Sequence, residues 1–253
     1  MHSKLALQAR EAIHADLHLL TPEQRLEAFL MHCQLVMELS KSHAASESAS
    51  ICEEAARPPA PPRRGVSRTT AAGQSALLLL DAIHHLAGLN LDYAVVGCMA
   101  AAVHGLARAS EKVQVALMIP FDEVPNLERT FVEAGFQLDI VQTSRAGVSL
   151  TILRLTDDFR NGVEVFVNLE GFDARTLRRT VTIPFQGEVV RLVGREDFIA
   201  IQAISGRLQD LIDVEAAIAA PGRPLDVDLI RALVSRHVVA AAAIERLLTD
   251  SDG

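Results

Sequence analysis

The sequence predicts an α+β fold, a mixed sheet flanked by helices, closed by a C-terminal helical cap and preceded by an N-terminal helical hairpin. Three observations predict it. Between about residues 74 and 193, short apolar runs of strand character alternate with helical periodicity, and beyond 195 only helical periodicity remains. Of the 253 residues, 49% are hydrophobic but only 4% aromatic, with no Trp, which suits aliphatic helices packed on a sheet. The length allows one full domain with an appendage.

Residues 4–41 read as two helices, the hairpin of segment 1–41. Thr21-Pro22-Glu23-Gln24 starts the second: Thr21 caps, Pro22 suits the first turn and Gln24 completes a capping box. Leu26, Phe29, Leu30, Cys33 and Met37 then share a face, a stripe that needs the main domain or a partner chain to cover it. Segment 42–73 is rich in Ser, Ala and Pro and reads as an extended linker, with Arg57, Arg63, Arg64 and Arg68 to keep it solvated or to touch an acidic surface. The α+β domain with its C-terminal helices occupies 74–253.

Within it, Ser75–Ala87 is an apolar helix with Gly88 as its stop. Tyr93–Val96 is a short buried strand, and Gly97 opens a helix to about Leu106. Lys112–Ile119 alternates, with Val113, Val115 and Leu117 on one face and Lys112, Gln114, Ala116 and Met118 on the other. Asp122–Ala134 is helical and stops at Gly135. Val148–Leu155 and Val163–Leu169 flank the turn-rich stretch 157–162 and form a hairpin. Strands follow at about 180–185 and 188–193, then helices at about 195–205, 208–219, 226–235 and 237–248. No internal repeat is visible.

The net charge of −8 opposes broad capture of nucleic acid and leaves room only for a local basic patch. Cys33, Cys52 and Cys98 are widely spaced, without a CxxC pair or zinc-finger spacing, so neither a disulfide framework nor structural zinc is expected. Arg10, Glu11 and Asp16 interrupt any signal-peptide core, and no apolar run reaches spanning length; a cytoplasmic, membrane-free protein is expected.

Chemistry concentrates in the stretch from Tyr93 to Val115. A strand ends in Gly97 and runs straight into a helix, whose free amides can cradle an anion. The next strand returns with positions 112 and 114 on one face, where two carboxylates would hold Mg²⁺ for phosphoryl transfer. This stretch resembles the nucleotidyltransferase superfamily, in its AbiEii-like toxin and minimal nucleotidyltransferase branch, where a strand like YVVVGG leads to a helix ending HG and then R-x-T-x-D-[IV]-D. Val163-Glu164-Val165-Phe166 resembles the strand bearing the family's third carboxylate. The run from Arg195 to Asp213 resembles its EDLIAxKxxAxRxKDxxD helix pair. The resemblance covers about 75–220 and leaves 1–73 outside.

The resemblance implies nucleotide- or phosphate-binding positions at Gly97, Cys98, Arg108, Ser110, Lys112, Gln114 and Gln202, and, in an active enzyme, catalytic carboxylates Glu164 and Asp210 with Mg²⁺ and an NTP. Departures cut against activity. Lys112 and Gln114 occupy the two aspartate positions, Cys98 a Gly/Ser position and Gln202 a lysine position, whereas Gly97, Arg108, Ser110, Arg207, Asp210 and Asp213 keep the pattern and Glu164 replaces Asp. An ammonium a few ångströms from a divalent ion costs on the order of several kcal/mol even at an effective dielectric of ~20. Glu111 cannot substitute, since its offset by one residue puts it on the other strand face. The expectation is a degenerate nucleotidyltransferase fold, a pseudoenzyme without a metal that binds nucleotide, phosphate or a partner. Two readings stand beside it. One is an active toxin-type enzyme moving a nucleoside monophosphate from an NTP to RNA or protein. The other is an interaction module that recruits a protein or a second copy through residues 4–41.

Each of these residues also suits a purely structural role. Gly97 also serves a tight turn, Cys98 a small buried site, and His104 the buried end of a helix. His84 and His85 are adjacent and do not face one site. Asp210 and Asp213 suit an ion pair with Arg207, and Arg178 and Arg179 suit a solvated loop end.

Overall fold

The computed structural model describes residues 19–47, 67–106, 109–145 and 148–251. The expected helix over 4–18, most of the expected linker and Arg108 lie outside them. The elements are α1 (Pro22–Glu47), α2 (Ser75–Gly88), β1 (Tyr93–Val96), α3 (Gly97–Val103), β2 (Lys112–Leu117), a 3₁₀ turn (Phe121–Glu123), α4 (Val124–Glu133), β3 (Gln137–Arg145), β4 (Val148–Thr156), β5 (Gly162–Val167), α5 (Ala174–Arg178), β6 (Val181–Phe185), β7 (Glu188–Leu192), α6 (Arg195–Ser205), α7 (Leu208–Ala219), α8 (Val227–Val234) and α9 (Val238–Ser251). The fold is α+β, as the alternation of periods predicts.

The seven strands form one mixed sheet in the order β3-β4-β5-β2-β1-β7-β6. Strands β2 and β5 are parallel neighbours, as are β1 and β7, and the remaining pairs are antiparallel. The expected β4–β5 hairpin forms across the 157–162 turn, where the Asp157 carboxylate accepts from the amides of Phe159 and Asn161. Val113, Val115, Leu117, Val163, Val165 and Val167 are buried on the face that α2 covers. The other face carries Lys112, Gln114, Glu164 and Phe166, by strand alternation. Helices α6 to α9 pack together as the helical cap.

The capping box of α1 is made as read: Thr21 N–H donates to Gln24 Oε1 at 2.8 Å and Gln24 N–H to Thr21 Oγ1 at 3.3 Å. Leu26, Phe29, Leu30 and Cys33 enter the main core, with α1 lying against α3 and β6. The helix continues to Glu47, six residues past the composition break at 41, because Ser and Ala tolerate a helix that has already started.

Several elements differ from the sequence reading. Strand β3 went unread because its polar residues, Gln137, Asp139, Gln142, Thr143 and Ser144, hide the alternation of an edge strand. Helix α3 stops at Val103, with Gly105 at φ +94° turning the chain. The short α5 is capped by Asp173, which accepts from the amides of Arg175 and Thr176. Arg179 does not merely solvate a loop end. It holds the buried Asp197 through two hydrogen bonds at 2.6 and 2.8 Å. Neighbouring Glu196 receives Arg223 at 2.6 Å, and Arg195 donates to the carbonyls of Ala217, Ile218, Ala220 and Arg223 at the end of α7. The Arg195-Glu196-Asp197 run therefore braces the cap.

Candidate functional site

Parallel pairing of β2 with β5 sets Gln114 opposite Glu164 and Lys112 opposite Gly162. The row continues sideways, with Arg154 of β4 opposite Glu164 and Asp139 of β3 opposite Arg154. The Glu164 carboxylate sits at the centre. Gln114 Nε2 donates to its Oε2 at 3.2 Å, while Lys112 Nζ and Arg154 Nε lie 3.5 and 3.4 Å from Oε1. The Arg154 Nε atom is buried and poorly aligned for a hydrogen bond, so its approach is charge contact above all. Two cations and one amide donor thus face a single, mostly buried carboxylate.

Gly97 owes its place to backbone geometry. Its φ is +63°, and a Cβ there would lie 1.9 Å from Gln114 Oε1. The Gln114 amide therefore fills the space in front of the start of α3. The Lys112 side chain runs across Gly162, where a Cβ would meet its Cγ at 3.0 Å, and ends half exposed beside Glu164.

An open cleft of roughly 210 Å³ lies against this face. Leu150, Ile152 and Phe166 form its floor, and Ile201 and Ile204 of α6 one wall. Gly97, Gln114, Gln202 and Asp210 line it, together with Arg207 and Glu170. Asp210 accepts from Ser205 Oγ at 2.5 Å, not from Arg207, because the break at Gly206 (φ +62°) sets Ser205 against the first turn of α7. Glu170 pairs with His237 at 3.3 Å.

Cys98 and Ser110 sit elsewhere. Cys98 Sγ contacts Lys112 O at 3.3 Å, Ser110 Oγ donates to the same carbonyl at 2.7 Å, and Ser110 N–H points to Cys33 Sγ at 3.4 Å. Both residues brace the entry of β2. His104 ends α3 with its ring against Phe198. Its Nε2 lies 3.0 Å from Val193 O, and since a carbonyl only accepts, that nitrogen carries the proton. Burial pushes its pKa down to about 4. Arg154 was missed by sequence reasoning, although the one charged residue of its strand, set between Leu153 and Leu155, is a readable signal.

The residues do not fit the divalent ion of a nucleotidyltransferase. Mg²⁺ calls for several anionic oxygens, and Lys112 and Gln114 supply none. Among the described residues no three His, Cys, Asp or Glu side chains are placed to hold a metal ion.

No family model matches the chain, and no curated protein matches it. Solved structures do show likenesses. An antigenic nucleotidyltransferase-like protein from Paracoccidioides brasiliensis is 18% identical, over 66% of this chain and 91% of that one, at a TM-score of 0.38. The antibiotic-resistance factor ANT(2'')-Ia is 12% identical over 68% and 95%, at 0.44. The lincosamide antibiotic adenylyltransferase LnuA, lincomycin-bound, is 9% identical over 60% and 100%, at 0.41. Likeness this distant assigns neither family nor activity. No helix of the described residues is long and apolar enough to cross a membrane.

Proposed function

We propose that this chain is a nucleotidyltransferase-fold protein that does not perform two-metal nucleotidyl transfer and uses its cleft for binding. One observation carries the reading: the Glu164 carboxylate is already compensated by Lys112, Arg154 and Gln114. A metal arriving there would have to displace or sit beside two cations, at a cost on the order of several kcal/mol. The alternation of β1, α3 and β2, with β5 beside β2, is the arrangement the sequence resemblance led us to expect, and it supports the fold half of the proposal. A toxin-type activity built on Glu164 and Asp210 gains no support from the geometry, since each carboxylate is engaged by neighbouring side chains.

The test is direct. Incubated with each labelled NTP, Mg²⁺ or Mn²⁺ and total RNA, the protein is expected to transfer no label to RNA or to itself. Label transfer lost on Glu164→Gln would overturn the proposal.

A second reading concerns α1. Met31, Leu35 and Leu39 are exposed on the face opposite its buried stripe, which supports a protein contact there, with a second copy as the partner to test. Light scattering of the full chain and of a Met31→Glu/Leu35→Glu variant checks it. A monomer in both would remove the reading.

A further inference from the structure

Gln202 is 7% exposed, lines the cleft, and makes no side-chain hydrogen bond to any described residue. The carboxamide itself reaches the open cleft, for among the described residues the one buried side-chain N or O atom without a partner is Arg154 Nε, and a polar group at that place on the wall needs an explanation. Packing alone supplies none, because Ile201 and Ile204 on the same helix show that this wall accepts aliphatic side chains. On the same wall Arg207 is exposed and likewise unengaged among the described residues, whereas Asp210 and Ser205 satisfy each other. Across the cleft, Glu170 is paired with His237 and Gln114 with Glu164. The wall thus offers one amide, a donor and an acceptor together, and one guanidinium, above an apolar floor.

We propose that the cleft takes a small organic anion with three features: a flat or branched apolar body for Leu150, Ile152 and Phe166, an amide-type edge for Gln202, and a single carboxylate or phosphate ester for Arg207. This deepens the reading of the cleft as a binding site and rests on it. Among the described residues that line the cleft Arg207 is the one cation, which suits a single anionic group better than a triphosphate.

Calorimetry in EDTA, with N-acetyl-L-phenylalanine as the carboxylate probe and adenosine 5′-monophosphate as the phosphate probe, tests it on the full chain. At least one probe is expected to bind saturably, and the one that binds identifies the source of the anion. Gln202→Leu and Arg207→Ala are each expected to weaken that binding roughly tenfold or more. Thermal melting supplies a readout that needs no ligand. Gln202→Leu should leave the Tm unchanged or raise it, as happens when a polar residue kept for function on an otherwise apolar wall is replaced by an apolar one of similar size. Binding of neither probe at millimolar concentration, binding indifferent to either variant, or a fall in Tm on Gln202→Leu overturns the proposal. Label transfer from an NTP would sink the preceding proposal but leave the melting result to be read by itself.

Discussion

A carboxylate between two cations behaves differently from a carboxylate among carboxylates, and Glu164, between Lys112 and Arg154, is of the first kind. With Lys112 and Gln114 beside it, Glu164 is a structural anion, and Glu164→Ala leaves Lys112 and Arg154 facing each other across a partly buried gap. A loss of about 1–3 kcal/mol is expected in denaturant unfolding. The converse variant, Lys112→Asp/Gln114→Asp, places three carboxylates on paired strands. It should melt earlier than the parent without metal and recover with Mn²⁺, while the parent shows no Mn²⁺-dependent shift. His104 gives a prediction in pH. Burial depresses its pKa to about 4, against an ordinary value near 6.5, so the unfolded chain binds the extra proton first as the solution is acidified. Its contribution is fully present above pH 6.5 and is lost as pH falls toward 4, up to about 3 kcal/mol. Melting of a His104→Gln variant across that window should show a flatter dependence than the parent.

Single elements depend on a few residues that composition alone would not single out. Gly97 joins β1 to α3 at φ +63°, and a Cβ there displaces the Gln114 amide from its place beside Glu164. Gly97→Ala should cost about 1–2 kcal/mol for the left-handed backbone, plus the lost Gln114–Glu164 bond. Adding Gln114→Ala should relieve the collision but not the backbone cost, so the double variant stays less stable than Gln114→Ala alone. What the sequence could show follows from the same physics. Strands β1, β2, β5 and β7 were legible because burial on one face imposes apolar alternation or a continuous apolar run. Edge strand β3 was not, because an edge is free to be polar. The pairing of position 114 with 164 was expected only through a resemblance. The β4–β5 hairpin was expected but its register was not, and the register is what sets Arg154 opposite Glu164. Gln202 was visible as a departure from a lysine, but its lack of a partner is a fact of packing.

At the scale of the whole molecule, the question is whether α1 is an attached module or part of the core. Its sequence suggests a module, set off by a composition break and by a stripe of its own. In the fold, Leu26, Phe29, Leu30 and Cys33 join the one buried cluster shared with the sheet. Arg25 Nη1 donates to Val103 O at 2.7 Å, Gln186 Nε2 reaches Glu27 at 2.7 Å, and Gly73 packs so tightly on α1 that a Cβ would lie 2.7 Å from Gln34 Cα. A module held by polar surface contacts would unfold separately, whereas a helix that completes the core would unfold with it. Phe29→Ala distinguishes the two cases. Integrated packing predicts a loss of about 3–5 kcal/mol with a single denaturant transition, read identically by far-UV circular dichroism and by protection of amides in β2 and β5. An early transition that removes only helical signal, while those strand amides keep their parent protection, would show instead that α1 is held loosely and that the core closes without it.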